Sequence, residues 1–228
     1  RPVTAAEIER VLGLYDRSAA RAEPFEESIK LALKSVLVSP HFLFRVENDP
    51  VPTGIFPVND YELAARLSYF LCASMPDAEL SALTDTGRIR EPAVLTAQAA
   101  RLLADQRARA FIDDFTGQWL GTREVGASVA FTRADFKGVY TTDLATDLRE
   151  EPGQLMRHLV ADNRSLLELL AADYVIINQR IAKHYGLEGV EGSQFRRVAV
   201  TDGRRGGVTG LGAVHMITAH PDRTSPVL

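Results

Sequence analysis

The sequence predicts a mainly α fold, a multi-helix bundle with a small β hairpin or loop excursion near 195-208. Three observations carry that expectation. Capping-box patterns and N-cap residues recur along the chain, and each satisfies amides that a helix start leaves open. Apolar residues return every three or four positions behind those caps, the spacing that puts them on one helical face. Alternating, branched texture of the kind a strand needs is read only in "FRRVAV" at 195 to 200.

Thr4 and Glu7 form the first capping box, and Ile8, Val11, Leu12 and Tyr15 share the face behind it. Pro24 opens a second helix striped by Ile29, Leu33, Val36 and Leu37. Ser39-Pro40 starts a third, which Phe42, Leu43 and Val46 are expected to bury. Residues 48 to 58, "NDPVPTGIFPV", hold three prolines and a glycine and make the best linker in the chain. Asn59 and Glu62 repeat the capping box ahead of the stripe Leu63, Leu67, Phe70 and Leu71.

"MPDAEL" begins a short helix that Gly87 ends, and Leu95, Ala99, Leu102 and Leu103 mark the next. Phe111, Phe115 and Trp119 recur at four-residue spacing, which predicts a buried aromatic row with Trp119 as its anchor. Residues 122 to 142 have weak periodicity and read as irregular. Leu144, Leu148, Leu155 and Leu159 then hold helical phase across Pro152-Gly153, where a kink or break is expected because proline loses a backbone bond. Ser165 caps "LLELLA", Asn178 caps "QRIAKHY", and Gly186 closes the latter. After the strand at 195 to 200, "RRGGV" suggests a hairpin or loop, and "GLGAVHMITA" returns to helix. The implied division is an N-terminal helical segment 1-47, a central helical domain 59-188 and the start of a third segment, 189-228.

Composition narrows the function classes. Of the 228 residues, 46% are hydrophobic and 25% charged, and the net charge of −4 argues against a nucleic-acid partner. No apolar run approaches the ~18 residues that read as a transmembrane helix, so no membrane span is expected in this piece. A single cysteine, Cys72, excludes an internal disulfide and any CxxCH haem attachment within these residues. Cys72 falls in the apolar helix near 60 to 75, where a small buried thiol is the ordinary outcome. The chain opens on Arg1-Pro2, and the expectation is a piece of a longer polypeptide.

The chemistry-bearing residues are few. His215, His220 and Asp222 are the nearest approach to a metal set. The histidines are five apart across an expected helix end, rather than the four that place both on one face, so no metal site is predicted. His41, His158 and His184 stand alone at helix surfaces or ends. Asp113-Asp114 and Glu150-Glu151 are adjacent pairs whose side chains diverge by roughly 100°, which predicts solvated charge or helix-end complementation rather than a proton-sharing dyad. "RRGGVTGLG" is basic and glycine-rich, a composition able to cradle an anion, but it matches neither a Walker loop nor a dinucleotide fingerprint.

Asp173, Tyr174 and Arg180 form one candidate cluster, with Tyr174 expected to bury its ring and bond its hydroxyl and Arg180 to pair with Asp173. His220, Asp222 and Arg223 form the other, in a stretch where Pro221 and Pro226 fix a turn around the Arg223 fork. A pocket lined by Tyr174, His220, Asp222 and Arg223 favours an enzyme; a flat polar surface favours a scaffold.

Five strings occur in one order: "RPVTAAEIERVLGLYD", "FEESIKLALKSVLVSPHFLFRVE", "YELAARLSYFLCASMPDAEL", "DYVIINQRIAKHYG" and "RTSPVL". Together they resemble the planctomycete-type cytochrome-c-associated multidomain proteins, whose successive segments are domains of unknown function. The resemblance implies an extracytoplasmic (periplasmic or secreted), redox-linked setting. It implies no cofactor in this fragment, a c-type haem module elsewhere on the same polypeptide, and that module or neighbouring segments as partners. The function it implies is docking or scaffolding; the alternative is a catalytic domain oxidising an extracellular substrate with electrons passed to the haem module. It brings no catalytic residues. Two departures from the family pattern are Cys72, where a Trp is expected, and the interruption at Pro152-Gly153.

Overall fold

A computed structural model describes residues 2–47, 54–127, 138–201 and 203–219. Among them are ten α-helices and one two-stranded antiparallel sheet, the mainly α fold that the caps and stripes predict. None of the described helices is long and apolar enough to cross a membrane. The chain divides into two compact units, Arg1–Leu67 with Met75–Leu95, and Ser68–Ser74 with Thr96–Leu228.

The first unit begins with α1 (Ala5–Ala19), α2 (Phe25–Leu37) and α3 (Pro40–Leu43). The expected capping box opens α1: the Glu7 amide donates to the Thr4 hydroxyl at 3.3 Å, and the Glu7 carboxylate accepts from the Thr4 amide at 2.9 Å. At the α1–α2 contact the Ser28 hydroxyl donates to that of Ser18 at 3.1 Å, and the Tyr15 and Phe25 rings meet edge to face at 6.2 Å. These two serines are the buried residues of 2–47. The apolar stripes do not bury as expected: Leu12, Leu33, Val36, Leu37, Phe42, Leu43 and Val46 are all exposed. Among the described residues of 2–47 the larger apolar side chains stay uncovered on the outer faces.

Further along this unit, the Asn59–Glu62 box starts α4 (Asp60–Cys72), with bonds of 2.8 and 3.0 Å. Asp77 caps α5 (Ala78–Asp85) by accepting from the Leu80 amide. Ala64, Leu80 and Ile89 supply the unit's buried apolar side chains.

The second unit holds most of α6 (Pro92–Leu103), then α7 (Ala108–Trp119) and α8 (Thr142–Ala161). On α7 the buried face is Ala108, Ile112 and Thr116, one residue out of phase with the row expected to bury. Phe111, Phe115 and Trp119 form a ladder with centroids 5.9 and 5.7 Å apart, and Phe70 adds a rung at 4.8 Å. Phe70, Phe115 and Trp119 are 65%, 45% and 51% exposed, so Trp119 is not the core anchor. Arg109 and Asp113 on α7 pair with Glu150 and Arg157 on α8.

No break occurs at Pro152: α8 runs as one helix through it, with Pro152 and Gly153 both buried. One lost backbone bond is outweighed by a helix buried along most of its length.

Beyond α8 come β1 (Tyr174–Ile177), α9 (Gln179–Tyr185), β2 (Arg196–Ala199) and α10 (Gly212–Thr218). β2 does not pair within 195-208; it pairs antiparallel with β1, Tyr174 opposite Ala199 and Ile177 opposite Arg196. β1 is buried on both faces. Val175 and Ile177 enter one core cluster with Leu144, Leu148, Ile181 and Met216, while Tyr174 and Ile176 enter another with Leu155 and Leu211. That two-sided burial selects the unbroken branched run "YVII" over a polar-apolar alternation.

Candidate functional site

The most constrained polar group of the second unit is Glu151, which sits in the middle of α8 and is fully buried. It continues the stripe of Leu144, Leu148, Leu155 and Leu159 that faces the core. Tyr185, the last residue of α9, donates its hydroxyl to Glu151 Oε2 at 2.7 Å. Gly212, the first residue of α10, shares its amide between the Tyr185 hydroxyl at 2.7 Å and Glu151 Oε2 at 3.3 Å. Three helices that are distant in sequence thus meet on one carboxyl group. Glu151 Oε1 has no partner among the described residues.

Gly212 is required by space. A Cβ there would lie 2.7 Å from both the Tyr185 hydroxyl and Leu148 Cδ2. The preceding loop is placed by Gly206, whose φ of 122° suits glycine and whose Cβ would sit 2.0 Å from the Ala172 carbonyl oxygen. With the loop pressed against that carbonyl, Arg205 lies over the Tyr185 ring, 3.6 Å from its centroid, and donates to the Gly210 carbonyl at 3.1 Å.

Burial dominates the electrostatics. It pushes the Glu151 carboxyl up to about 7, against the opposing pull of the Tyr185 hydroxyl, the Gly212 amide and Arg205. Burial, then the charge of Glu151, raises the Tyr185 phenol well above its usual value. His184 is held below its usual value, first by burial and then by Arg205.

A cleft of about 380 Å³ opens beside this knot. Leu148, Met216 and Ala219 supply its apolar wall, with Gly212 at its base, and His184, Tyr185, Arg204, Arg205 and His215 its polar one. Chemically the arrangement presents the fixed Arg205 guanidinium beside an apolar surface, with the Glu151 carboxyl buried behind Tyr185.

Of the candidates read from sequence, Asp173, Tyr174 and Arg180 are placed elsewhere. Tyr174 is buried and donates its hydroxyl to Glu168 at 2.6 Å, while Arg197 lies over its ring at 4.2 Å. Arg180 does not pair with Asp173: it binds Asp147 at 2.5 Å and Asp143 at 3.4 Å on α8, and Asp173 meets Arg197 at 3.4 Å. β1 and the start of α9 carry Asp173 and Arg180 to different neighbours, so the three do not converge. Asn178 caps α9 as expected, accepting from the Ile181 amide at 3.0 Å. His220, Asp222 and Arg223 lie outside the described residues, as does the turn they were expected to form. Among the described residues no three of His, Cys, Asp and Glu gather as a metal set.

Glu151 was expected to be solvated charge, and the structure corrects this. Its register is the signal that finds it: position 151 falls three after Leu148 and four before Leu155.

Fold and site together define a helical module with a small sheet and a buried carboxyl knot beside a basic cleft. The chain belongs to the family described as PSD4, a protein of unknown function (DUF1592), which matches residues 58–187. Residues 1–47 match a second family, PSD5, also a protein of unknown function (DUF1595). Neither a curated protein nor a solved structure matches the chain.

Proposed function

We propose that this chain is a docking module of an exported, cytochrome-c-linked bacterial protein, held permanently against other segments of the same polypeptide. One observation carries the reading: residues 2–47 form three helices whose buried side chains are two serines. Short helices gain most of their stability from packing an apolar face, and ordering them costs about 1 to 2 kcal/mol per residue in backbone entropy. Side chains such as Phe25, Leu33, Val36 and Phe42 therefore need cover from outside the described residues. A surface this apolar suits an obligate interface rather than an electron-transfer encounter, which is small and transient. Its partner is an apolar helical face of the same polypeptide, adjoining the c-type haem module. The extracytoplasmic setting and the haem module are supported by the family resemblance.

The test is solvent labelling of α2 and α3 by hydrogen exchange in the natural full-length polypeptide and in this chain alone. Strong additional protection of Phe25–Leu37 in the full-length protein is expected, and its removal by Leu33→Glu. Equal exchange in the two contexts overturns the reading.

A further inference from the structure

We infer that the cleft under Arg205 binds a small organic carboxylate. Its volume of about 380 Å³ lies near the lower end of the ~300 to 1,000 Å³ typical of ligand pockets. The Arg205 guanidinium lines it beside Arg204, and among the described residues no carboxylate does. Glu151, behind Tyr185, is fully buried and engaged by Tyr185 and Gly212. A half-buried guanidinium on a cleft wall concentrates anions.

Arg205 is built for one geometry. Its guanidinium lies over the Tyr185 ring, 3.6 Å from the centroid, and bonds the Gly210 carbonyl at 3.1 Å. Tyr185 is itself fixed through Glu151, so the planar fork is held before any ligand arrives. Of the five N–H donors that an arginine carries, one is used within the described residues, on Gly210. A preorganised fork with open donors matches the two oxygens of a carboxylate.

The opposite wall selects the ligand's body. Leu148, Met216 and Ala219 are apolar, and a bare inorganic oxyanion would leave that surface wet. A carboxylate carrying a short hydrocarbon or aromatic body covers it. The Tyr185 hydroxyl is occupied on both sides, by Glu151 and the Gly212 amide, so Tyr185 acts as a positioning residue rather than as a ligand donor. The first amide of α10 is likewise occupied, which leaves Arg205 as the anion's partner. This site stands whether or not α1–α3 dock, because none of its residues belongs to them.

Calorimetric titration of the chain with benzoate tests the inference, with acetate, inorganic phosphate and benzylamine as parallel arms. One saturable benzoate site is expected, with acetate at least ~10-fold weaker for want of a body and benzylamine silent. Arg205→Lys keeps the charge and loses the fork, and should weaken benzoate ~10-fold. Ala219→Trp adds bulk at the half-buried cleft wall and should abolish binding while the circular dichroism spectrum is unchanged. Absence of a saturable benzoate isotherm overturns the site. Benzoate affinity retained in both variants overturns its location. Phosphate or benzylamine binding as tightly as benzoate overturns the ligand class.

Discussion

Glu151 shows how one residue's register sets a pH dependence. Its carboxyl titrates near 4.5 when unfolded and about 7 when folded, because burial disfavours the charged form. The folded chain therefore holds this proton more tightly, and the contribution to stability is complete below 4.5 and lost as pH rises through about 7. One pKa unit is about 1.4 kcal/mol, so the effect is on the order of 3 kcal/mol. Of the groups facing it, Tyr185 stays protonated because its own phenol is pushed up. His184 runs the other way: its pKa is lowered from 6.5, so its contribution grows as pH rises. Melting temperatures of the wild type should fall between about pH 5 and about pH 8, while Glu151→Gln should give a flat or rising profile. A parallel fall in both proteins would show that Glu151 is not the group responsible. The knot was partly legible in the sequence, since Glu151 lies in the leucine stripe of α8. Its partners were not, because Tyr185 and Gly212 arrive from elements 34 and 61 residues away.

Elements were easier to read than the faces they present. Caps at Thr4, Asn59 and Asn178 placed helix starts because the signal is local, a side chain meeting an amide three residues on. Facing is decided by tertiary contact. On α7 both Phe111–Phe115–Trp119 and Ala108–Ile112–Thr116 keep helical spacing, and it is the smaller row that is buried. β1 escaped notice for a related reason: four buried apolar residues carry no period, and the partner strand lies across α9. Similarly, the cost of Pro152 was clear in sequence, while the packing that offsets it was not. The α7 assignment gives a direct comparison. Trp119→Ala should cost about 1 kcal/mol or less, since half the side chain is exposed, and iodide should quench its fluorescence. Ile112→Ala removes a 4% exposed side chain and should cost ~2 to 5 kcal/mol by chemical denaturation. The reverse order of these losses would put the aromatic row in the core.

At the scale of the whole molecule, the distribution of apolar surface separates two kinds of segment. The second unit buries both faces of β1 and the inner face of α8, whereas residues 2–47 leave Phe25, Leu33, Leu37, Phe42 and Phe44 more than half exposed. Contiguous apolar patches beyond a few hundred Å² are rare on proteins that work alone, and they mark interfaces. Stability and solubility should therefore respond differently to one substitution. Leu33 is 57% exposed, so Leu33→Glu removes little buried area and should shift unfolding free energy by about 0.5 kcal/mol or less. The same charge interrupts the patch, so sedimentation should show less concentration-dependent self-association, and binding of a hydrophobic dye should drop. A polar substitution at a covered position behaves in the opposite way, losing several kcal/mol through an unpaired buried charge. If Leu33→Glu unfolds the isolated chain, α2 already has its cover within these 228 residues. Unchanged melting with reduced self-association leaves the patch open in the chain alone, available to the helical face proposed to dock on it.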